Sequence, residues 1–112
     1  MSGVQLSRKL VLEGAVRQPD GAGGALSSWQ ALGTLWADLR MGSGRTTGGE
    51  AGALSRQTFR ITVRAAPQGA ASRPVPGQRF RDGARVFSID AVSEVLPGGA
   101  YLICHAHEEV AL

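Results

Sequence analysis

Residues 34–64 constrain this chain more than any other stretch. Two apolar-alternating segments there enclose residues 41–55, a glycine-rich run in which nine of fifteen residues are glycine, serine or threonine. The second segment, residues 58–64, places Phe59, Ile61 and Val63 on one face and Arg60, Thr62 and Arg64 on the other. That period of two is the signature of a half-buried antiparallel strand. The enclosed run can bury almost nothing. A compact domain rarely keeps a structureless loop of that length unless it binds something or orders against a partner.

Size sets the next limit. The 112 residues are read as a single domain, 1–112, with one modest core. Sixteen glycines and five prolines punctuate short apolar runs, which favours a β-rich domain with several turns over a helical bundle. No apolar run approaches the roughly twenty residues that a membrane span needs, and the N-terminal segment lacks the pattern of a signal peptide. The expectation is a soluble, cytosolic product with no membrane partner. A lone cysteine, Cys104, excludes an internal disulfide.

The net charge of +3 conceals an uneven distribution. Residues 40–85 carry nine arginines against Glu50 and Asp82, whereas residues 86–112 carry Asp90, Glu94, Glu108 and Glu109 with no lysine or arginine. Such polarity can steer a domain toward an anion or bring the basic part of one copy to the acidic part of another. The alternative is that these are solvated strand faces whose blocks interleave in space.

Six segments have strand character. Residues 9–18 come first and end at Pro19-Asp20-Gly21, a turn built from fixed φ, a side-chain-capped bend and positive φ. Residues 22–28 read as a small-residue connector. The stretch 29–41 matches both helical and strand spacing; strand is favoured from about Gly33, since Thr34 and Trp36 suit a pleated surface. A second, Pro-rich connector covers residues 65–77. Residues 78–81 form a short strand, and Asp82-Gly83 turns into residues 85–95, where Phe87, Ile89 and Ala91 share one face and Val86, Ser88, Asp90 and Val92 the other. Pro97-Gly98-Gly99 then joins a final hairpin ending in residues 101–107. The fold class expected is all-β: a small antiparallel β-barrel of about six strands, because closure removes exposed edges. A long Gly-rich loop would link the second and third strands.

The residue types that carry chemistry do not assemble into an active site. Residues 42–49 look like a phosphate cradle but lack the Gly-Lys-Ser/Thr ending and a following helix. His105 and His107 share a strand face that Glu109 would continue, with Cys104 on the other, which supplies two or three possible ligands from one segment where zinc normally takes three or more from a protein. No serine occupies a strand-to-helix elbow. The reading is of a non-enzyme with no cofactor and no metal site. Trp29 and Trp36 are better used as core or interface anchors than as base-stacking platforms.

An ordered set of features from Leu10 to about His107 resembles the phage head–tail joining, or head-closure, family, which includes the equivalent component of gene transfer agents. The features are Pro19-Asp20-Gly21, Ser28-Trp29, Leu35-Trp36-Ala37-Asp38-Leu39, Gly48-Gly49-Glu50, the strand Phe59-Arg60-Ile61-Thr62-Val63-Arg64, Val86-Phe87-Ser88-Ile89 and Ala91-Val92. The Trp-Ala dipeptide and the Ile-x-Val-Arg strand are the most specific. The second Pro-rich connector, and Phe87 where the family commonly has tyrosine, are departures.

What the resemblance implies is a stopper or adaptor: a homo-oligomeric ring, hexamer or dodecamer, between the portal or adaptor protein and the tail terminator or tail tube. It would retain packaged double-stranded DNA and dock the tail. The protein would work in the virion or gene transfer agent particle after assembly in the bacterial cytoplasm. The loop projecting to the channel would be residues 41–55, with Gly42, Gly44, Arg45, Gly48, Gly49, Glu50 and Arg56 facing DNA. Trp29, Trp36, Arg60 and Arg64 are the candidate interface residues. A different class stays open: a stand-alone small β-barrel module that binds nucleic acid through Arg60, Arg64, Arg79 and Arg81.

Overall fold

The computed structural model describes residues 3–47 and 55–109, with the backbone alone at residues 26, 43–47 and 55–56. Six strands follow in chain order: β1 (Arg8–Pro19), β2 (Ala25–Thr47), β3 (Ser55–Arg64), β4 (Arg79–Asp82), β5 (Arg85–Glu94) and β6 (Tyr101–Glu108). All pair antiparallel and close into a barrel in the order β1-β2-β3-β6-β5-β4, with β4 returning to β1 through Val11↔Arg81, Leu12↔Phe80 and Glu13↔Arg79. The expected all-β barrel of six strands is the observed fold.

Alternation builds the core. Leu10 and Leu12 of β1, Ala37 of β2, Phe59, Ile61 and Val63 of β3, Phe80 of β4, Phe87 and Ile89 of β5, and Leu102, Cys104 and Ala106 of β6 are all buried. Phe59 and Phe87 meet edge to face at 5.1 Å and 77°, the geometry their ring quadrupoles favour. Each is an inward residue of a strand whose outward neighbours are polar or half-exposed.

Two bulges break the period. Between Leu12/Glu13 the β1–β2 register slips from Leu12↔Gly33 to Glu13↔Ala31, so Leu32 is the extra residue. Between Ile89/Ala91 the β5–β6 register slips in the same way at Asp90, which turns Ala91 outward and lets Val92 pack on the core. The sequence reading had Ala91 on the Phe87 face; the single inserted residue reverses the phase after it.

The turns follow the local chemistry. Asp20 Oδ1 accepts from the backbone N–H of Ala22 at 2.8 Å and of Gly24 at 3.1 Å, with Gly21 and Gly23 at positive φ. The connector is shorter than residues 22–28, because β2 already begins at Ala25. Residues 65–78 form no strand, yet they pack: Pro74 is fully buried, and the Arg73 guanidinium donates to the Ala66 carbonyl at 2.7 Å and pairs with Glu94.

Candidate functional site

The β2–β3 hairpin extends well past the barrel wall. β2 pairs with β3 from Ala37↔Val63 to Met41↔Phe59, and resumes as Arg45↔Gln57, Thr46↔Arg56 and Thr47↔Ser55. Residues 41–47 and 55, expected in the loop, are therefore strand. Ladder bonds join backbone groups and need no apolar face, so a run of small and polar residues pairs without leaving an alternating pattern to read. Gly44, Arg45 and Arg56 are placed along this hairpin by their backbone, and Gly48, Gly49 and Glu50 lie outside the described residues.

Between Met41 and Arg45 three β2 residues oppose the single residue Thr58. Gly42 permits that crowding. A Cβ built on it would lie 2.6 Å from Thr58 Oγ1 and 3.4 Å from the Thr58 Cβ and carbonyl carbon. The glycine serves close approach here and is not among those at positive φ.

The four candidate interface residues divide into separate surfaces. Trp36 is 55 % exposed, and with Arg64 it borders a groove of about 530 Å³ that Leu6, Leu35 and Ala65 also line. Lys9 Nζ lies 5.9 Å from the Trp36 ring, and the Arg64 guanidinium 5.5 Å from that of Tyr101. Trp29 lies elsewhere, in the part of β2 that pairs only with β1. The Arg79 guanidinium stacks 4.0 Å above its ring. Arg60 is exposed and stands directly opposite Arg40 on β2 and His105 on β6.

The four arginines of the nucleic-acid reading do not share a face. Arg60 and Arg64 are on β3, whose neighbours are β2 and β6; Arg79 and Arg81 are on β4, whose neighbours are β1 and β5. Two strands separate β3 from β4 in either direction around the barrel. Arg79 and Arg81 are also engaged, at 2.8 and 3.0 Å, by the carboxylate of Glu13, whose side chain is buried.

The charge blocks interleave. Arg85 forks onto Glu108 at 2.8 and 3.0 Å, Arg73 pairs with Glu94 at 3.3 Å, and Arg8 with Asp82 at 2.6 Å. The Arg85 hydrogen bond holds the Glu108 carboxyl below its ordinary value. Asp38, buried on the outer face under the N-terminal segment, receives the Arg40 guanidinium at 2.9 and 3.0 Å and the Gln5 amide at 2.9 Å; the Arg40 bond chiefly holds its carboxyl low.

His105 is exposed, and His107 Nδ1 lies 2.8 Å from Asp90 Oδ2. Cys104 faces the core on the opposite side, where burial pushes its thiol up to about 12. Among the described residues no three His, Cys, Asp or Glu side chains gather as metal ligands. The Glu13 clamp was invisible in the sequence because its partner Arg79 is 66 positions away; only the three-dimensional register brings them together.

Comparison with known proteins adds what geometry alone does not. No curated protein matches the chain. A solved structure described as the virion of a native gene transfer agent particle contains a chain 50% identical to this one, covering 99% of this chain and 100% of that one with a TM-score of 0.78. The family model for phage head completion proteins matches residues 1–109. The chain thus belongs to the phage head completion protein family.

Proposed function

We propose that this protein is a stopper of the head–tail connector, in which several copies form a hexameric or dodecameric ring between the portal or adaptor protein and the tail terminator or tail tube. Membership of the head completion family, with the likeness to a gene transfer agent virion chain, supports a structural, head-associated role in the virion. One observation carries the finer reading. The β2–β3 hairpin continues six residues beyond Met41 as a two-stranded projection whose bulge at Gly42 packs directly on Thr58. A rigid barrel thereby carries a two-stranded extension in which Gly42, Ser43, Gly44, Thr46, Thr47 and Ser55 accompany Arg45, Arg56 and Gln57. Copies of such an element can converge on a common axis, the glycines allowing close backbone approach and the arginines facing an anion.

In this reading the barrel supplies the ring wall. The projection, with Arg45 and Arg56 along it, closes the channel and meets the phosphates of packaged double-stranded DNA. Trp36 with Arg64, Arg60, and Trp29 belong to contacts with neighbouring copies or with the rings above and below. The arrangement calls for no cofactor and no catalytic step.

The test removes residues 48–54 and joins Thr47 to Ser55 through Asn-Gly, a pair suited to a two-residue hairpin turn. The expected outcome is a purified chain that unfolds as cooperatively as the parent, and particles that lose DNA or lack tails. Particles of undiminished infectivity or gene transfer would refute the channel role.

A further inference from the structure

β1 outruns its barrel partner. Its last contact with β4 is Glu13↔Arg79, and residues 14–19 continue with β2 as their one strand neighbour among the described residues. β2 in turn meets β3 only from Ala37 onward. Among the described residues, 14–19 and 25–31 thus form a two-stranded ribbon outside the barrel, with a backbone edge on each side that no other strand pairs. A ribbon of two strands is marginal in water, and open edges are templates for another strand.

The two edges differ in how they are guarded. Arg17 and Pro19 protect the β1 edge near the tip, one by charge and one by lacking an N–H. Nearer the barrel, residues 14–16 open onto a groove of about 400 Å³ whose far wall is Pro76, Gly77 and Gln78. The segment in line with β4 stays bonded to β5 there, the Gly77 amide donating to the Ile89 carbonyl and the Ile89 amide to the Gln78 carbonyl, and its ladder with β1 stops at Glu13↔Arg79. Gly14 is itself buried, with Leu32 Cδ1 3.0 Å and Gln78 Nε2 3.7 Å from where a Cβ would stand, so the exposed part of this edge begins at Ala15. The β2 edge, Ala-Leu-Ser-Ser-Trp-Gln-Ala over residues 25–31, carries no charge and no proline at all.

We propose that the open β2 edge at residues 25–31 of one copy adds as a strand to the β1 edge at residues 14–16 of the next copy, seated in its groove, so that neighbouring copies share one sheet. A second copy is the partner that fits both observations at once. The edges lie on opposite sides of the same ribbon, so each copy offers one and receives one. That is a head-to-tail contact, the kind whose repetition closes a ring, whereas a single foreign strand would leave one edge open. The mating segments carry no charged residue on either side. The proposal rests on the multi-copy reading above and names the contact that would hold neighbours together.

The test uses particles assembled from two co-expressed, differently tagged chains, one carrying Ala15→Cys and the other Ser27→Cys or Ser28→Cys. Each chain has a single new thiol, so a bond between tags is intermolecular, and the native Cys104 is buried. Mild oxidation should give heterodimers in large excess over either homodimer. A companion variant, Ser27→Lys with Gln30→Lys, places charge on exposed edge positions; it should melt like the parent and lose incorporation into particles. Particles holding several copies but yielding no heterodimer, yielding homodimers equally, or incorporating the lysine variant fully would overturn the strand addition while leaving the ring intact. A single copy per particle, read from tag stoichiometry, would overturn the ring reading itself.

Discussion

Replacing Gly42 with alanine tests whether the hairpin projection is rigidly seated. Two opposing effects set the outcome. Gly42 is not at positive φ, so alanine is conformationally acceptable and gains about 0.4–1 kcal/mol by restricting the unfolded chain. Against this, the new methyl falls 2.6 Å from Thr58 Oγ1, well inside contact distance. Threonine is stiff about χ1, and its Cβ and carbonyl carbon, at 3.4 Å, leave little room to retreat. Overpacking of this kind costs about 1–3 kcal/mol, so G42A should be net destabilising by about 0.5–2 kcal/mol. For a domain of this size that is a fall in Tm of about 2–8 °C. The decisive measurement is a double-mutant cycle by thermal or urea unfolding of the parent, G42A, T58A and the double variant. Removing Oγ1 leaves only ordinary contacts, so in the T58A background the same glycine replacement should stabilise. A reversal of sign, with a coupling of about 1 kcal/mol or more, is the expected result. Additive effects, or a G42A chain that melts above the parent, would refute the claim that Thr58 and Gly42 lock the bulge.

Two further outcomes follow from the electrostatics of the barrel wall. Asp38 and Glu108 have their carboxyls held below the ordinary range by Arg40 and Arg85. Below neutral pH the unfolded chain therefore takes up protons before the folded one, and their stabilisation, full above the unfolded pKa, disappears as pH falls through the folded values. Melting curves from neutral pH to about pH 3 should show this loss, and D38N and E108Q should each flatten it; unchanged acid sensitivity in both would count against the pairs. Cys104 should stay unreactive to thiol reagents at about pH 8 until the barrel opens, because its thiol is buried and raised to about 12. Native-state labelling as fast as in denaturant would contradict that burial.

What the sequence made legible is what local pattern encodes. β3 declared itself through Phe59, Ile61 and Val63, all of which are core residues, and the Asp20 turn and Gly98-Gly99 hairpin through turn chemistry that depends on a few adjacent residues. β2 was half legible. Its middle was ambiguous because Trp29, Leu32, Trp36 and Leu39 match helical spacing, and the reason lies in how β2 is used. It is 23 residues long and changes partner, running along β1 to Ala37 and along β3 beyond it. The ends outside the barrel have no interior to face, so no single hydrophobic face spans the strand.

The candidate site was harder to read for the same physical reason. Alternation reports burial against a core, and both projections of this barrel lie beyond the core. In the β2–β3 projection the register is inherited from the barrel-wall pairs Ala37↔Val63 to Met41↔Phe59 and carried outward by backbone bonds, so small and polar residues suffice. Small residues in a strand that leaves a barrel are therefore ambiguous in sequence between a loose loop and a tightly paired ribbon. The close approach at Gly42 separates the two: a loose loop would tolerate a methyl group anywhere, whereas a paired ribbon rejects it where a partner's side chain already fills the space. The fold assigns to Gly42 a structural duty at the base of the projection.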